Sequence, residues 1–234
     1  MTLDRDRLKR EAAHAALDFV KNGMVVGLGT GSTATFVVAA LGERVREGLK
    51  ITGIPTSERT CTLAREAGIP LAGFAEYQRF DLTIDGADEV ERGSLDLIKG
   101  LGGALLREKI VAAVSRRLII VVDQEKLVDR LGLRTPVPVE IVPFGWQATQ
   151  AALAKLGASP MLRQSGKNGP YITDGGNYIL DCRFAEILDP RELEHRIGLI
   201  VGVVESGLFV GRTSAVVVAS TSGIEVLTSP GGTP

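Results

Sequence analysis

Five short apolar runs restrict this chain more than any other feature: MVVGLG (24–29), ITGI (51–54), LTI (82–84), LDLI (95–98) and LIIVV (118–122). Each stops abruptly at glycine, proline or charged residues. Runs of this length read as strands buried on both faces, as happens when helices cover both sides of a parallel sheet. Helical periodicity fills the gaps. Leu8, Ala12, Ala15, Ala16, Phe19 and Val20 form an i, i+3/i+4, i+7 stripe, so a helix is expected over 3–21, with others near 32–45, 57–67 and 104–115. In such sheets ligands bind just beyond the carboxyl ends of the strands. Four of the five strand tips carry polar or ionisable runs, which points to a small polar ligand.

The bulk charge excludes other partners. A net charge of −1, with no basic run longer than two residues, gives no footprint for nucleic acid or an acidic membrane. Any anion must be held locally. Cys61 and Cys182 lack metal-type spacing, which favours free thiols in a reducing compartment. The N-terminus is charged, and no run approaches the roughly 20 apolar residues of a membrane helix. A cytoplasmic protein is expected.

The turn after the first strand, Thr30-Gly31-Ser32-Thr33, leads into a helix. Free backbone N–H groups at such a helix start bind anions, phosphates above all. Gly29, Gly31 and Ala34 match the dinucleotide pattern GxGxxA, but the second strand ends in Pro55-Thr56-Ser57, without the acidic residue that would hold a ribose hydroxyl. Hydroxyls at Thr30, Ser32 and Thr33 suit a phosphate monoester better than a pyrophosphate; a plain tight turn is the alternative.

The densest chemistry lies between Asp81 and Lys109. Asp85-Gly86-Ala87-Asp88 follows one apolar run, and Lys99-Gly100-Leu101-Gly102-Gly103 follows the next. Glu108 stands in the second turn of the following helix. Leu106, Ile110, Ala113 and Val114 are expected to face the core, with Glu108 turned about 200° away from Leu106. Two carboxylates, an ammonium, a glycine-rich helix start and a further carboxylate on one crevice are equipment for moving protons. Lys126, in the cluster after LIIVV, and Lys9, at the border of the first helical stripe, are further cations; a solvated surface lysine is the plain alternative for Lys9.

Composition shifts near residue 132. RTPVPVEIVPF (134–144) packs three prolines among β-branched residues, so it reads as a crossover into an edge strand of another sheet. A helix (145–157), strands near 160–164, 171–173 and 177–183, a helix (190–197) and a strand (200–205) complete a β-α-β-β-α-β unit of ferredoxin-like type. It lacks clustered ionisable residues, so packing or assembly is its expected role, and Trp146 and His195 read as structural. LFVG and SAVVVA (208–219) are expected to return to the first sheet, and LTSPGGTP to form a loose tail.

GLGTGSTA, TIDGADEV, KGLGGALLREK, PVPVEIVPF and GLFVG together closely resemble the type A ribose-5-phosphate isomerases, from the first helix to about residue 227. The resemblance implies a Rossmann-like α/β/α catalytic domain (1–132 and 207–234) and a smaller ferredoxin-like α+β domain (133–206). It implies a homodimer or homotetramer working on a sugar phosphate without metal or organic cofactor. The implied reaction interconverts ribose 5-phosphate and ribulose 5-phosphate through an enediolate, in the non-oxidative pentose phosphate pathway. Glu108 matches the family's general base. Asp85, Gly86, Ala87 and Asp88 match its DGAD motif, and Lys99 through Gly103 its KGxGG loop. Thr30 to Thr33, with Lys9 and Lys126, match its phosphate site. Ring opening is assigned to Asp85, and oxyanion stabilisation to Lys99 with the N–H groups of Gly102 and Gly103. A sugar-phosphate-sensing binding module on the same scaffold is the competing expectation, and it would need no base.

Overall fold

A computed structural model of the chain describes residues 2–166 and 169–228. The first stripe folds as α1 (Thr2–Ala16) with a closing 3-10 turn at Leu17–Phe19, slightly short of the expected end. Strand β1 (Val25–Leu28), α2 (Ser32–Arg46), β2 (Thr52–Pro55), α3 (Glu58–Glu66) and β3 (Leu82–Asp85) follow as the runs and stripes predict. Two short strands come next, β4 (Glu89–Glu91) and β5 (Leu97–Ile98), before α4 (Leu105–Val114), β6 (Leu118–Asp123) and the two-residue β7 (Leu127–Val128). The chain continues through β8 (Val137–Ile141), α5 (Trp146–Lys155), β9 (Ala158–Leu162), β10 (Tyr178–Phe184), α6 (Pro190–Gly198) and β11 (Val203–Ser206). It ends with β12 (Leu208–Phe209), β13 (Ala215–Ser220) and β14 (Gly223–Thr228).

The main sheet runs β14-β13-β6-β3-β1-β2, parallel throughout except for the antiparallel edge strand β14. Successive residues of β6 enter different cores. Ile119 and Val121 pack with α1, α2 and Ala64 of α3, while Leu118, Ile120 and Val122 pack with Leu97, Ala112 and Phe209. Such two-sided burial is why the run is apolar without interruption. Chain order reverses between β1 and β3, so the crevice at their carboxyl ends is the topological switch point where ligands of such sheets bind.

A second sheet, β11-β8-β10-β9, is antiparallel throughout and carries α5 and α6 between its strands in ferredoxin-like order. Here β8 is central, not at the edge. Proline is tolerated because the Pro138 carbonyl accepts from Gly207 N–H (2.7 Å), just past the end of β11, so its missing N–H also faces a place where pairing stops. No strand forms at 171–173; an isolated bridge, Gln164 to Pro170, lies just before that segment, and the Tyr171 N–H donates to the Arg163 carbonyl (2.9 Å).

LDLI and LFVG do not join the parallel sheet. They form β5 and β12 of a small third sheet, β12-β5-β4-β7, which shares with α4 the second face of the main sheet. Two-residue strands carry too little periodic signal to separate the two outcomes. Leu227 and Thr228, expected in a loose tail, belong to β14, and residues 229–234 lie outside the described residues.

Candidate active site

The tips of β1 and β3 set the floor of a cavity. Gly29, just past β1, lets the chains close up: a Cβ there would lie 2.1 Å from Asp85 Oδ1 and 2.6 Å from Asp85 Cα. Only glycine permits that approach. Asp85 is 1% exposed, its Oδ1 accepting from Thr30 N–H (3.2 Å) and Gly86 N–H (2.7 Å). Its Oδ2 lies 3.0 Å from the Lys99 ammonium.

Lys99 joins the parts. Its Nζ donates to the Gly86 carbonyl (2.6 Å), pairs with Asp85, stands 3.4 Å from Glu108 Oε2 and lies 5.6 Å from the Phe209 ring centre. Burial would lower the pKa of this amine, but Asp85 and then Glu108 outweigh it and hold the ammonium above its ordinary range. Glu108 is 3% exposed, and among the described residues its Oε2 accepts no well-formed hydrogen bond, only the approach of the Lys99 ammonium. Burial first, then the charge of Asp85, pushes the Glu108 carboxyl up to about 8 against the pull of Lys99. Burial also raises Asp85, opposed by Lys99 and by the Gly86 and Thr30 amides.

Helix α4 presents Glu108 differently from the expected pattern. Its buried residues are Leu105, Glu108, Lys109, Val111 and Ala112, while Ile110 is 45% exposed. The helix is covered from the far side by the ferredoxin-like unit, so a face carrying charges is buried too. Lys109 is held there by Glu194 of α6 and Glu205 of β11, each at 2.8 Å, with the Phe209 ring 4.9 Å away. That unit therefore contributes ionic contacts beside the site, contrary to its expected lack of clustered charge. No local sequence pattern marks Glu194, Glu205 or Phe209, because their partners are remote in the chain.

The cavity is lined by Thr30, Gly31, Ser32, Thr33, Gly86, Ala87, Asp88, Lys99, Gly100, Gly102, Glu108 and Lys126. All twelve are expected site residues. The other four lie outside the lining. Asp85 is beneath it. Leu101 donates its N–H to Asp88 Oδ2 (2.9 Å), and Gly103 donates its N–H to the Gly100 carbonyl (3.0 Å). The Gly103 amide is thus already used, which leaves Gly102 as the loop amide for an oxyanion. Lys9 Nζ stands 3.9 Å from Asp6, one turn back on α1.

Helix α2 opens the cavity's anion side. It starts at Ser32 with Gly31 as N-cap and no side-chain cap, so its first-turn amides have no partner within the helix. The Thr30 hydroxyl is not free for a phosphate, since it lies in a hydroxyl cluster with Thr56 (2.8 Å), Ser57 (2.8 Å) and Thr60 (3.1 Å). Those three residues, at the tip of β2 and in α3, brace the turn from below and were not foreseen. The constellation can hold an anion at one end and exchange a proton with carbon at the other.

The family model described as Ribose 5-phosphate isomerase A (phosphoriboisomerase A) matches residues 52–223. A ribose-5-phosphate isomerase A from Gloeobacter violaceus is 63% identical over 227 residues, covering 97% of this chain and 98% of that protein. The solved ribose 5-phosphate isomerase A of Methanocaldococcus jannaschii superposes with TM-score 0.92 at 44% identity, over 95% of this chain and 99% of the other. A D-ribose-5-phosphate isomerase solved in complex with phospho-erythronic acid superposes with TM-score 0.93 at 40% identity, covering 96% and 99%.

Proposed function

The chain belongs to the ribose 5-phosphate isomerase A family, and on that premise we propose that this cavity interconverts ribose 5-phosphate and ribulose 5-phosphate with Glu108 as the base. One observation carries the assignment of roles: Glu108 lines the cavity with its carboxyl pushed up to about 8 by burial and the Asp85 charge, 3.4 Å from the Lys99 ammonium. Removal of a proton beside a carbonyl needs a base matched to operating pH, which is worth about 10²–10⁴-fold in rate. Glu108 takes the proton from C2 of the open-chain aldose and returns it to C1, while the O2 hydroxyl gives up its proton and O1 gains one, so that the carbonyl moves from C1 to C2.

The enediolate oxygen so formed is stabilised by Lys99 and the Gly102 N–H, and one such donor is typically worth ~3 kcal/mol. The phosphate sits on the amides of Ser32 and Thr33 with Lys126 beside it, and this remote anchor orients C1 and C2. Lys9 must leave Asp6 to contribute. Asp85, to which ring opening is assigned, lies under the lining and 3.0 Å from the Lys99 ammonium. The ligand in the solved complex of one relative, phospho-erythronic acid, is an acyclic phosphorylated acid of the kind such a cavity would accept.

We also propose a cytoplasmic homodimer or homotetramer in which residues 133–206 form the assembly domain. Phe144, Val201, Met161 and Leu199 stand 94%, 93%, 72% and 70% exposed there, and light scattering would report the state. Among the described residues no helix is long and apolar enough to cross a membrane.

The test of function mixes purified protein with ribose 5-phosphate in D₂O without added metal. Ribulose 5-phosphate should appear carrying deuterium at C1, and Glu108→Gln should lose nearly all turnover. A sugar-phosphate sensor would keep its ligand response in that variant and form no ketose. Absence of both ketose and deuterium in correctly folded protein refutes the isomerase.

A further inference from the structure

The glycine loop that follows Lys99 is gripped from outside the main sheet. Arg163, one residue past β9, donates from Nη1 to the carbonyls of Gly100 (2.9 Å) and Leu101 (3.2 Å). Its Nε and Nη2 make a two-point pair with Asp181 of β10, at 2.9 and 2.5 Å. The arginine side chain is 12% exposed, and its guanidinium stands 5.8 Å from the Tyr171 ring centre. The Tyr171 hydroxyl closes on the same loop, 2.1 Å from where a Cβ at Gly103 would sit.

A trans peptide points its C=O and N–H to opposite sides. In the Gly100–Leu101 peptide the carbonyl faces Arg163 while the N–H donates to Asp88 on the cavity side. In the Leu101–Gly102 peptide the carbonyl also faces Arg163, so the Gly102 N–H points away from it, at a residue that lines the cavity. One guanidinium nitrogen, Nη1, oriented by the two-point pair that Nε and Nη2 make with Asp181, holds two carbonyls outward and thereby aims two N–H groups inward. A flipped peptide would instead put a carbonyl oxygen where negative charge develops. Because Asp181 neutralises the guanidinium, this effect is directional and not a long-range field.

We infer that Arg163 is a positioning residue for the isomerisation, fixing the Leu101–Gly102 peptide so that its N–H donates to the enediolate oxygen. The inference rests on the isomerase assignment above, and it gives the ferredoxin-like unit a part in rate as well as in packing.

Arg163→Met and Arg163→Lys test it, with thermal melts followed by steady-state kinetics on ribose 5-phosphate. In R163M, kcat falls by about tenfold or more while KM stays within about threefold, because the phosphate is held elsewhere. R163K keeps the charge beside Asp181 but lacks the planar fork, so its kcat falls between R163M and the parent. Inhibition by phospho-erythronic acid, whose carboxylate imitates the enediolate oxygens, weakens in step with kcat, and inhibition by inorganic phosphate does not. A merely structural arginine would lower the melting temperature and leave this split absent. The inference is overturned by a kcat within twofold of the parent in folded R163M, or in R163K should R163M not fold, or by a loss confined to KM. An unaltered protein that fails to isomerise at all would instead overturn the isomerase assignment.

Discussion

Replacing Glu108 by glutamine should abolish isomerisation and yet stabilise the fold, most strongly in alkali. Burial and the charge of Asp85 push the carboxyl up to about 8 in the folded protein against an ordinary 4.5. Below pH 4.5 both folded and unfolded chains hold this proton, and the group contributes nothing to pH dependence. Between 4.5 and about 8 the unfolded chain ionises alone, so stability falls as pH rises, by about 1.4 kcal/mol per pH unit. Above 8 the full cost, about 5 kcal/mol, is constant. Glutamine never ionises and removes that slope. Some of the gain is lost because Lys99 gives up one counter-charge at 3.4 Å, although it keeps Asp85 at 3.0 Å and the Gly86 carbonyl at 2.6 Å. A net gain of about 2–3 kcal/mol at pH 8 corresponds to roughly 5–10 °C in melting temperature for a chain of this size. The assay is a series of circular-dichroism melts of parent and variant from pH 5 to 9, with turnover measured on the same samples. A variant less stable than its parent at pH 8, or an advantage that does not shrink toward pH 5, would refute the reasoning.

Three further outcomes follow from the same geometry. The pH profile of kcat/KM should rise with an apparent pKa near 8 and then level, because the base must first lose its proton; a profile flat from pH 6 to 9 would exclude Glu108 as that base. Gly29→Ala should cost about 1–3 kcal/mol in chemical denaturation and most of the activity, since the new Cβ meets Asp85 at 2.1 Å and must push β1 and β3 apart. Lys126→Ala should raise KM for ribose 5-phosphate about tenfold at low salt with a smaller effect on kcat, and Lys9→Ala should raise it less, because Lys9 stands by Asp6 and not in the lining; equal effects in steady-state assays would place both lysines at the phosphate.

The parts of the site that were legible in the sequence are those whose partners are close in the chain or fixed by strand ends. DGAD and KGLGG follow apolar runs, so their exposure at a crevice follows from strand termination alone. The burial of Glu108 was not legible. A single apolar stripe implies one covered face of α4, whereas Lys109 is also covered by Glu194 and Glu205 of the ferredoxin-like unit and Glu108 lies buried beside Lys99, while Ile110 is left exposed. The small third sheet was missed for a related reason: β5 and β12 are two residues each, and their pairing joins Leu97 and Ile98 to Phe209 and Leu208 across nearly half the chain. Arg163 and the hydroxyl cluster under Thr30 likewise depend on contacts that only the fold creates. Local patterns therefore recover which groups do chemistry, and miss the contacts that set their protonation and direction.

The division of labour between the two buried carboxylates shows how such contacts act. One stands at the tip of β3 and the other on α4, yet both are pushed up by burial and both face Lys99. What differs is the supply of N–H donors: Asp85 Oδ1 has Thr30 and Gly86, whereas among the described residues Glu108 Oε2 has no amide donor. Those amides favour the charged form of Asp85, and the charge of Asp85 is, after burial, the next cause that holds the Glu108 carboxyl above its ordinary range. Hydrogen bonds made to Asp85 thereby bear on the base beside it. Loosening Asp85 from its two amides, by a substitution that displaces the Thr30 turn without touching Glu108, should let Asp85 take the proton more readily. Glu108 would then ionise at lower pH, and the acid limb of kcat/KM would move down the pH scale. If that limb stays in place while Asp85 is displaced, burial alone sets the base and the coupling between the two carboxylates has no kinetic consequence.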